Sequence, residues 1–240
     1  LMISGFMNVT GNMASGLHFS GIANITGQSF GGLMTSGLLN VVGEHMNGLQ
    51  IAGIANITAS KLNGVQVALC NYATKARGLQ IGLVNYYKED MKGFQLGLVN
   101  ANPDTKVQMM VYGGNATPAN IGVRFKNQLF YTILGVGSMY QGLNDKFSAS
   151  ASYRAGLSFP LYKGLSISGD LGYQHIEAFD NKDEVIPKRL YALQARANLE
   201  YQFTKKFGIF ATGGYGLTRF YNKSSNYDKG AIIEAGIVLF

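Results

Sequence analysis

The sequence predicts an all-β protein that crosses a membrane with strands. Three observations support this prediction: a shortage of charge, a short repeat, and regular alternation of apolar with polar residues. Only 14% of the 240 residues are charged, against about 25% in an average soluble domain, whereas 47% are hydrophobic. No apolar run approaches the roughly 18 residues of a membrane helix. One cysteine cannot form an intrachain disulfide scaffold. The apolar content therefore indicates β-structure in a bilayer.

Charge is unevenly distributed along the chain. Residues 1–60 contain no Lys or Arg, and Glu44 is their single acidic residue. The net charge of +7 comes from basic residues dispersed between Lys61 and Lys229. Nucleic-acid-binding proteins instead gather basic residues into a patch or stripe. We therefore expect no nucleic-acid partner.

Residues 1–102 form the predicted first domain and contain seven copies of a short repeat. Its pattern is G-x-Q-x-(A)-G-x-x-N, as in Gly48-Leu-Gln-Ile-Ala-Gly-Ile-Ala-Asn56 and Gly78-Leu-Gln-Ile-Gly-Leu-Val-Asn85. One asparagine marks each copy, at Asn8, Asn24, Asn40, Asn56, Asn71, Asn85 and Asn100, with spacings of 14 to 16 residues. A fixed short period indicates one structural unit per repeat.

Two architectures fit these repeats. Each copy alternates over about ten residues, which predicts a β-strand with one apolar face. As a strand of a transmembrane barrel, each copy would turn its apolar face to lipid and its Gln/Asn face inward. As a coil of a β-solenoid, each copy would stack its asparagine on the next. Equivalent copies favour the solenoid, whereas the missing charge in residues 1–60 favours barrel strands, since soluble surfaces carry both signs. Of the two interpretations, we prefer barrel strands.

Residues 103–240 form the predicted second domain, with longer alternating strands. From Tyr191 to Phe203, Tyr, Leu, Ala and Phe alternate with Gln, Arg, Asn and Glu. Eight such strands and seven repeats give fifteen, and bacterial single-chain barrels have even strand numbers. We therefore predict an antiparallel transmembrane β-barrel of about 14–16 strands. The alternative is an N-terminal β-solenoid joined to a C-terminal barrel of 8–10 strands. A soluble sandwich with its polar face outward is a third possibility, although its strands are usually shorter.

Four charged residues on consecutive strands of this domain project to one side. They are Arg154, Asp170, Arg196 and Glu200. In a low-dielectric interior such charges are tolerated only when they are paired. In a narrow barrel they would form a structural network, and in a wide barrel they would line an aqueous path and bias ion selectivity. Because their charges cancel, we favour structural pairing.

The repeat resembles the surface repeats of an outer-membrane protein family that is common in Bacteroidetes and related Gram-negative bacteria. The chain ends Glu234-Ala-Gly-Ile-Val-Leu-Phe240, and this terminal aromatic resembles the C-terminal assembly signal of outer-membrane barrels. The resemblance implies an integral protein of the outer membrane, in contact with its lipid and lipopolysaccharide and with other outer-membrane proteins. One departure is Glu234, which shares a face with Phe240. Either a bulge intervenes, or the opposite face, which carries Ile233, meets lipid.

Residues that carry chemistry are scarce. The three histidines, His18, His45 and His175, have no second His or Cys at a metal-ligand spacing, and no nucleophile–base–orienter set is recognisable. Cys70 lies beside Leu69, which predicts a buried and inert thiol. We therefore predict no catalytic, cofactor-binding or metal-binding residue and no enzyme activity. The expected function is a structural or passive channel role, and the alternative is a surface-binding or adhesion module made of the repeats.

Overall fold

A computed structural model describes residues 1–140, 143, 147–179, 189–222 and 225–239. The chain divides into two compact units, Leu1–Asp104 and Thr105–Phe240. The all-β prediction is confirmed, and the structure has the alternative architecture of an N-terminal solenoid followed by a barrel of 8–10 strands. The repeats form the coils of a parallel solenoid, contrary to the preferred interpretation, and a closed antiparallel barrel of eight strands follows. In the described part of the chain, no helix is long and apolar enough to span a membrane.

In the first unit, here called the repeat unit, most strands are short. They are β1 (Met2–Ser4), β2 (Met7–Thr10), β3 (Ala14–Ser20), β4 (Ala23–Thr26), β5 (Phe30–Ser36), β6 (Leu39–Val42), β7 (His45–Ala52), β8 (Ala55–Val67), β9 (Cys70–Ile81), β10 (Val84–Leu96) and β11 (Val99–Ala101). The ten-residue strand that was expected for each repeat copy is broken by a two-residue corner. Between β3 and β4, for example, Gly21 and Ile22 turn the chain.

Successive coils pair in parallel, so that identical repeat positions lie on top of one another. Asn24 pairs with Asn40, and Asn40 pairs with Asn56. The polar face of each copy points inward, since Gln50 and Asn56 are fully buried. The interior also contains an apolar cluster that includes Phe30, Met34, Val42, Met46 and Leu62. Much of the apolar face of the repeats therefore points outward. Cys70 is exposed, contrary to the prediction.

Glycine is required where the coils approach most closely. Gly32 has a φ of +129°, and a Cβ atom there would lie 2.2 Å from the carbonyl oxygen of Gly16 in the coil below. The same positive φ and close approach recur at Gly48 and Gly64. An L-side chain fits neither this backbone conformation nor this space. The glycine that opens each repeat motif thus permits the coils to stack.

The second unit is the barrel, and its strands are long. They are β12 (Lys106–Gly114), β13 (Ala119–Asn127), β14 (Phe130–Ser138), β15 (Ser148–Tyr162), β16 (Leu165–Ala178), β17 (Arg189–Thr204), β18 (Phe207–Phe220) and β19 (Asn226–Leu239). Each strand pairs with its neighbour in sequence, and β12 pairs with β19 to close the barrel. Phe240, which carries the predicted assembly signal, lies outside the described residues.

The connections between strands differ at the two ends of the barrel. At one end, here called the short-turn end, residues 128–129, 163–164 and 205–206 each link two strands. At the other end, here called the long-loop end, the connections have four to ten residues. The chain enters the barrel at the short-turn end, because Lys106 pairs with Lys126 beside the first short turn.

Candidate functional site

A network of charged side chains crosses the interior of the barrel. At its centre, Arg154 on β15 donates from Nε to Asp170 Oδ1 at 2.8 Å and from Nη2 to Asp170 Oδ2 at 2.8 Å. The arginine side chain is 1% exposed and the aspartate side chain 0%. Two parallel charge-assisted bonds fix both groups in orientation as well as position. These two predicted residues therefore meet in one ion pair.

Two further ion pairs involve the other predicted residues. Glu200 accepts from Arg124 Nη1 at 2.6 Å and from Nη2 at 3.0 Å. Arg196 lies against Glu234, with Nε 3.3 Å from Oε2, and the same oxygen lies 3.7 Å from Arg154 Nη1. Three arginines thus face three carboxylates, and the formal charges cancel.

Neutral side chains extend the network around Asp170. Tyr131 donates its hydroxyl to Asp170 at 2.8 Å, and Asn198 Nδ2 donates to the same carboxylate at 2.8 Å. Gly172 leaves room for the guanidinium groups, since a Cβ there would lie 2.9 Å from Arg196 Nη1 and 3.1 Å from Arg154 Cγ. Buried charges without partners are costly, and these polar contacts satisfy the carboxylate of Asp170.

The sequence prediction omitted Arg124 and Glu234. The alternation of β19 could have predicted that Glu234 points inward, because Glu234 and the apolar Ile233 lie on opposite faces of the strand. In the structure Ile233 is 66% exposed and Glu234 is 3% exposed, so the face that carries Ile233 points outward and no bulge reverses it. Arg124 is harder to predict as a member of the network, because its partner Glu200 is 76 residues away in sequence.

The network closes the middle of the barrel. The cavity beside Arg124, Arg154 and Glu200 has a volume of about 10 Å³, which is at the lower limit for a single water molecule. Larger cavities lie toward the two ends. The one that includes Lys126 at the short-turn end measures about 550 Å³, and the one that includes Asn115 at the long-loop end measures about 350 Å³. In the described part of the barrel, the charged network thus lies between two larger cavities.

The seven repeat asparagines form a buried ladder in the repeat unit. Asn24 Nδ2 donates to Asn40 Oδ1 at 2.9 Å and to the backbone oxygen of Thr35 at 2.8 Å. Asn56 repeats both bonds, to Asn71 Oδ1 at 3.1 Å and to the backbone oxygen of Val67 at 2.9 Å. Each amide thus ties its own coil to the next and satisfies a backbone carbonyl near the corner. Such saturation favours a structural role for the ladder.

A second buried ladder uses the glutamines of the motif. Gln66 Nε2 donates to Gln50 Oε1 at 2.9 Å, and Gln80 Nε2 donates to Gln66 Oε1 at 2.8 Å. His18 pairs with Met34, and Met34 pairs with Gln50. His18 therefore occupies the position of Gln50 two coils earlier. Burial lowers the pKa of His18 below its usual range, because desolvation disfavours the charged imidazolium.

The other histidines are at the surface. His175 Nδ1 lies 2.7 Å from the hydroxyl oxygen of Tyr221, and its Nε2 lies 3.2 Å from a carboxylate oxygen of Glu177. Among the described residues, no group of three or more His, Cys, Asp or Glu side chains is placed to hold a metal ion.

The outward surface of the barrel carries an uncharged belt between two aromatic clusters. On β17, Leu193 and Leu199 are about half exposed and lie between Tyr191 and Tyr201. The ten residue steps from Tyr191 to Tyr201 span roughly 25 Å along the barrel axis, at about 3.3 Å per step and a tilt of about 40°. The belt separates two sets of rings: Tyr173, Tyr191 and Tyr221 toward the long-loop end, and Tyr201, Phe203 and Phe207 toward the short-turn end.

Solved structures that resemble this chain are small barrels. The match to a de novo designed transmembrane β-barrel covers 57% of this chain and 95% of the designed chain, with a TM-score of 0.39 and 15% sequence identity. The N-terminal β-barrel domain of Pseudomonas aeruginosa OprF covers 55% of this chain and 93% of its own (TM-score 0.37, 17% identity). The match to the Yersinia pestis outer membrane protein Ail covers 57% of this chain and 99% of the Ail chain (TM-score 0.36, 16% identity). No protein-family model and no curated protein matches the sequence. At these TM-scores, the barrel assignment depends on the strand pairing described above.

Proposed function

We propose that this chain is an integral outer-membrane protein of a Gram-negative bacterium, in which a closed barrel anchors the repeat unit. The observation that carries the proposal is the outward belt on β17, roughly 25 Å tall and bounded by Tyr191 and Tyr201. An apolar band of about this height between two aromatic girdles is characteristic of outer-membrane barrels. The polar, ion-paired interior agrees with this assignment, because it leaves the apolar face for lipid.

The closed interior supports a structural anchor over a passive channel. The ion pairs of Arg124, Arg154 and Arg196 fill the middle of the barrel, and breaking them would leave buried charges unpaired. We also propose that the protein is not an enzyme, since its sequence carries no recognisable nucleophile–base–orienter set. Its direct partners are then membrane lipids, including lipopolysaccharide on the outer leaflet.

Three measurements test this proposal. We expect the chain to fractionate with outer membranes and to migrate differently on gels before and after boiling in detergent. In planar bilayers, the unmodified protein should not conduct ions. A protein found entirely in the soluble fraction would contradict the membrane assignment. Steady conductance would instead restore the channel role.

We further infer that the repeat unit lies in the periplasm. The last strand of the repeat unit ends at Ala101, and β12 begins at Lys106 at the short-turn end of the barrel. Those five Cα steps reach at most roughly 18 Å, which is less than the roughly 30 Å of bilayer hydrocarbon. The short turns of outer-membrane barrels face the periplasm. The inference therefore opposes the alternative function, a surface-binding or adhesion module made of the repeats.

Thiol labelling tests this location. In a Cys70→Ser background, Lys88→Cys reports on the repeat unit and Ser225→Cys reports on the long-loop end, and both positions are exposed. A large, membrane-impermeant maleimide should label Ser225→Cys in intact cells, and Lys88→Cys only after the outer membrane is permeabilised. The short-turn variant Lys205→Cys should behave like Lys88→Cys. Labelling of Lys88→Cys in intact cells would support the adhesion alternative.

A further inference from the structure

One corner of the repeat unit carries a large apolar side chain in every coil. These residues, here called the apolar ridge, are Phe6, Ile22, Leu38, Ile54, Leu69, Leu83 and Leu98. Backbone bonds stack them in order, for example from Leu38 N to the oxygen of Ile22 at 3.0 Å and from Ile54 N to the oxygen of Leu38 at 3.0 Å. With about 4.8 Å between neighbouring strands, six steps make a ridge roughly 29 Å long.

The ridge and both of its flanks are largely apolar and at least partly accessible. Phe6 is 64% exposed, Ile54 51% and Leu83 48%. On one side the ridge adjoins the row of Ile51, Val67, Ile81 and Leu96, and on the other the row of Leu39, Ala55, Cys70, Val84 and Val99. Soluble monomers rarely expose an apolar patch of this extent, and such patches mark interaction with proteins or membranes.

Charge is confined to the opposite side of each coil. Every charged residue in residues 1–101 falls three to seven positions after a repeat asparagine, whereas the ridge residue falls two positions before it. Lys61, Lys75 and Asp90 occupy one row of this charged side. The repeat unit is therefore amphipathic around its axis, as an interfacial helix is around its own.

We propose that the apolar ridge contacts the acyl chains of a lipid bilayer. The proposal rests on the proposed function, because the short linker from Ala101 to Lys106 then keeps the last coil of the repeat unit within reach of the membrane. Lipid is favoured over a protein partner by the repetition itself. Equivalent rows every 4.8 Å or so offer a folded partner several equal registers, and the ridge has no polar group to select one. Lipid chains need no register.

Quenching by brominated lipids tests the contact in the full chain, reconstituted in phosphatidylcholine vesicles. In the Cys70→Ser background, one fluorophore is attached at Leu83→Cys on the ridge, and a matched one at Lys88→Cys on the charged side. A third, at Ala197→Cys, reports on the outward belt of the barrel. Lipids brominated on their acyl chains should quench the Leu83→Cys probe to nearly the extent of the Ala197→Cys probe and leave the Lys88→Cys probe bright.

The three probes separate the possible outcomes. An unquenched Ala197→Cys probe would overturn the membrane-barrel proposal itself. A quenched Ala197→Cys probe with Leu83→Cys as bright as Lys88→Cys would overturn the ridge proposal alone. Disulfide cross-linking between two copies through Leu83→Cys, without quenching, would assign the ridge to self-association and would also overturn it. A Leu69→Glu substitution on the ridge should remove quenching at Leu83→Cys, whereas Asn63→Glu on the charged side should not.

Discussion

Arg154 and Asp170 form a two-point ion pair on adjacent strands of the barrel and are almost completely removed from solvent. Their bonds of 2.8 Å are supplemented by Tyr131 and Asn198 on the carboxylate and by Glu234 near the guanidinium. Both side chains of the pair also contact other side chains of the network. The loss of one charge therefore affects the other groups in the network.

The first prediction concerns this pair. Arg154→Met leaves the carboxylate of Asp170 buried without its countercharge, and removal of one partner from a buried pair costs on the order of 3–5 kcal/mol. Asp170→Asn should destabilise in the same direction. The double variant should lose less than the sum of the single losses, because it leaves no unpaired member of the pair. Denaturant unfolding in lipid vesicles, followed by circular dichroism, measures the three differences.

Arg189 provides the control, because it pairs with Glu177 at an exposed site. Arg189→Met should change stability by less than about 1 kcal/mol. If Arg154→Met were equally mild, the buried network would not contribute to barrel stability as proposed.

The second prediction concerns the outward belt. Ala197 is exposed near the middle of the belt, where an introduced arginine on the lipid face costs roughly 2–4 kcal/mol. Ala197→Arg should therefore destabilise the protein in vesicles or prevent its insertion. Ser225→Arg, in a connection at the long-loop end, should have little effect. The free energy of unfolding of both variants is compared in the same vesicles, and equal values would argue against a lipid-facing belt.

Sequence alternation predicted much of the barrel. Between Tyr191 and Phe203 it separated the inward Arg196 and Glu200 from the outward Leu193, as the structure has them. Alternation is informative there because a long strand presents its two faces to different surroundings over its whole length. It does not identify partners, which are set by strand order and barrel closure, and so the pairing of Arg124 with Glu200 is visible only in the fold.

The same alternation misled the interpretation of the repeats. The corner at Gly21 and Ile22 contains two residues, so the buried positions keep their parity from His18 in β3 to Asn24 in β4. A coil with such a corner has the sequence pattern of one continuous strand. Low charge did not separate the alternatives either, because the interior of this solenoid is lined by Gln and Asn and its outer surface is largely apolar.

The third prediction uses two neighbouring glycines of β5. Gly32→Ala should destabilise the repeat unit, because φ is +129° and the new Cβ would meet the oxygen of Gly16 at 2.2 Å. Gly31→Ala should be tolerated, since its Cβ would meet only Ser15 Cβ, at 3.9 Å. Limited proteolysis of the full chain, read at cleavage sites within residues 1–104, compares the two variants. Equal protection would contradict the close approach of the coils.

The fourth prediction concerns the asparagine ladder. Asn56→Ala removes buried bonds to Asn71 and to the Val67 oxygen, and a buried group left without its partner costs about 1–3 kcal/mol. Asn63→Ala breaks a comparable bond, to Asn47 Oδ1 at 2.8 Å, that is exposed. We expect the first variant to increase amide hydrogen exchange in β8 and β9, and the second to leave exchange near the wild-type rate. Similar exchange in both would show that the buried ladder adds no stability.

The last prediction is a pH dependence that arises from His18. Burial lowers the pKa of His18 in the folded repeat unit, whereas in the unfolded chain the pKa is close to the ordinary value of about 6.5. As the pH falls below that value, the unfolded chain binds the proton first, and the free energy of unfolding decreases. His18→Gln removes the titrating group and continues the glutamine row of Gln50 and Gln66. The urea midpoint of protease protection in residues 1–104 should therefore fall between pH 7.5 and pH 5.5 more steeply in the wild type than in His18→Gln. Parallel pH profiles for the two proteins would show that the pKa of His18 is the same in the folded and the unfolded chain.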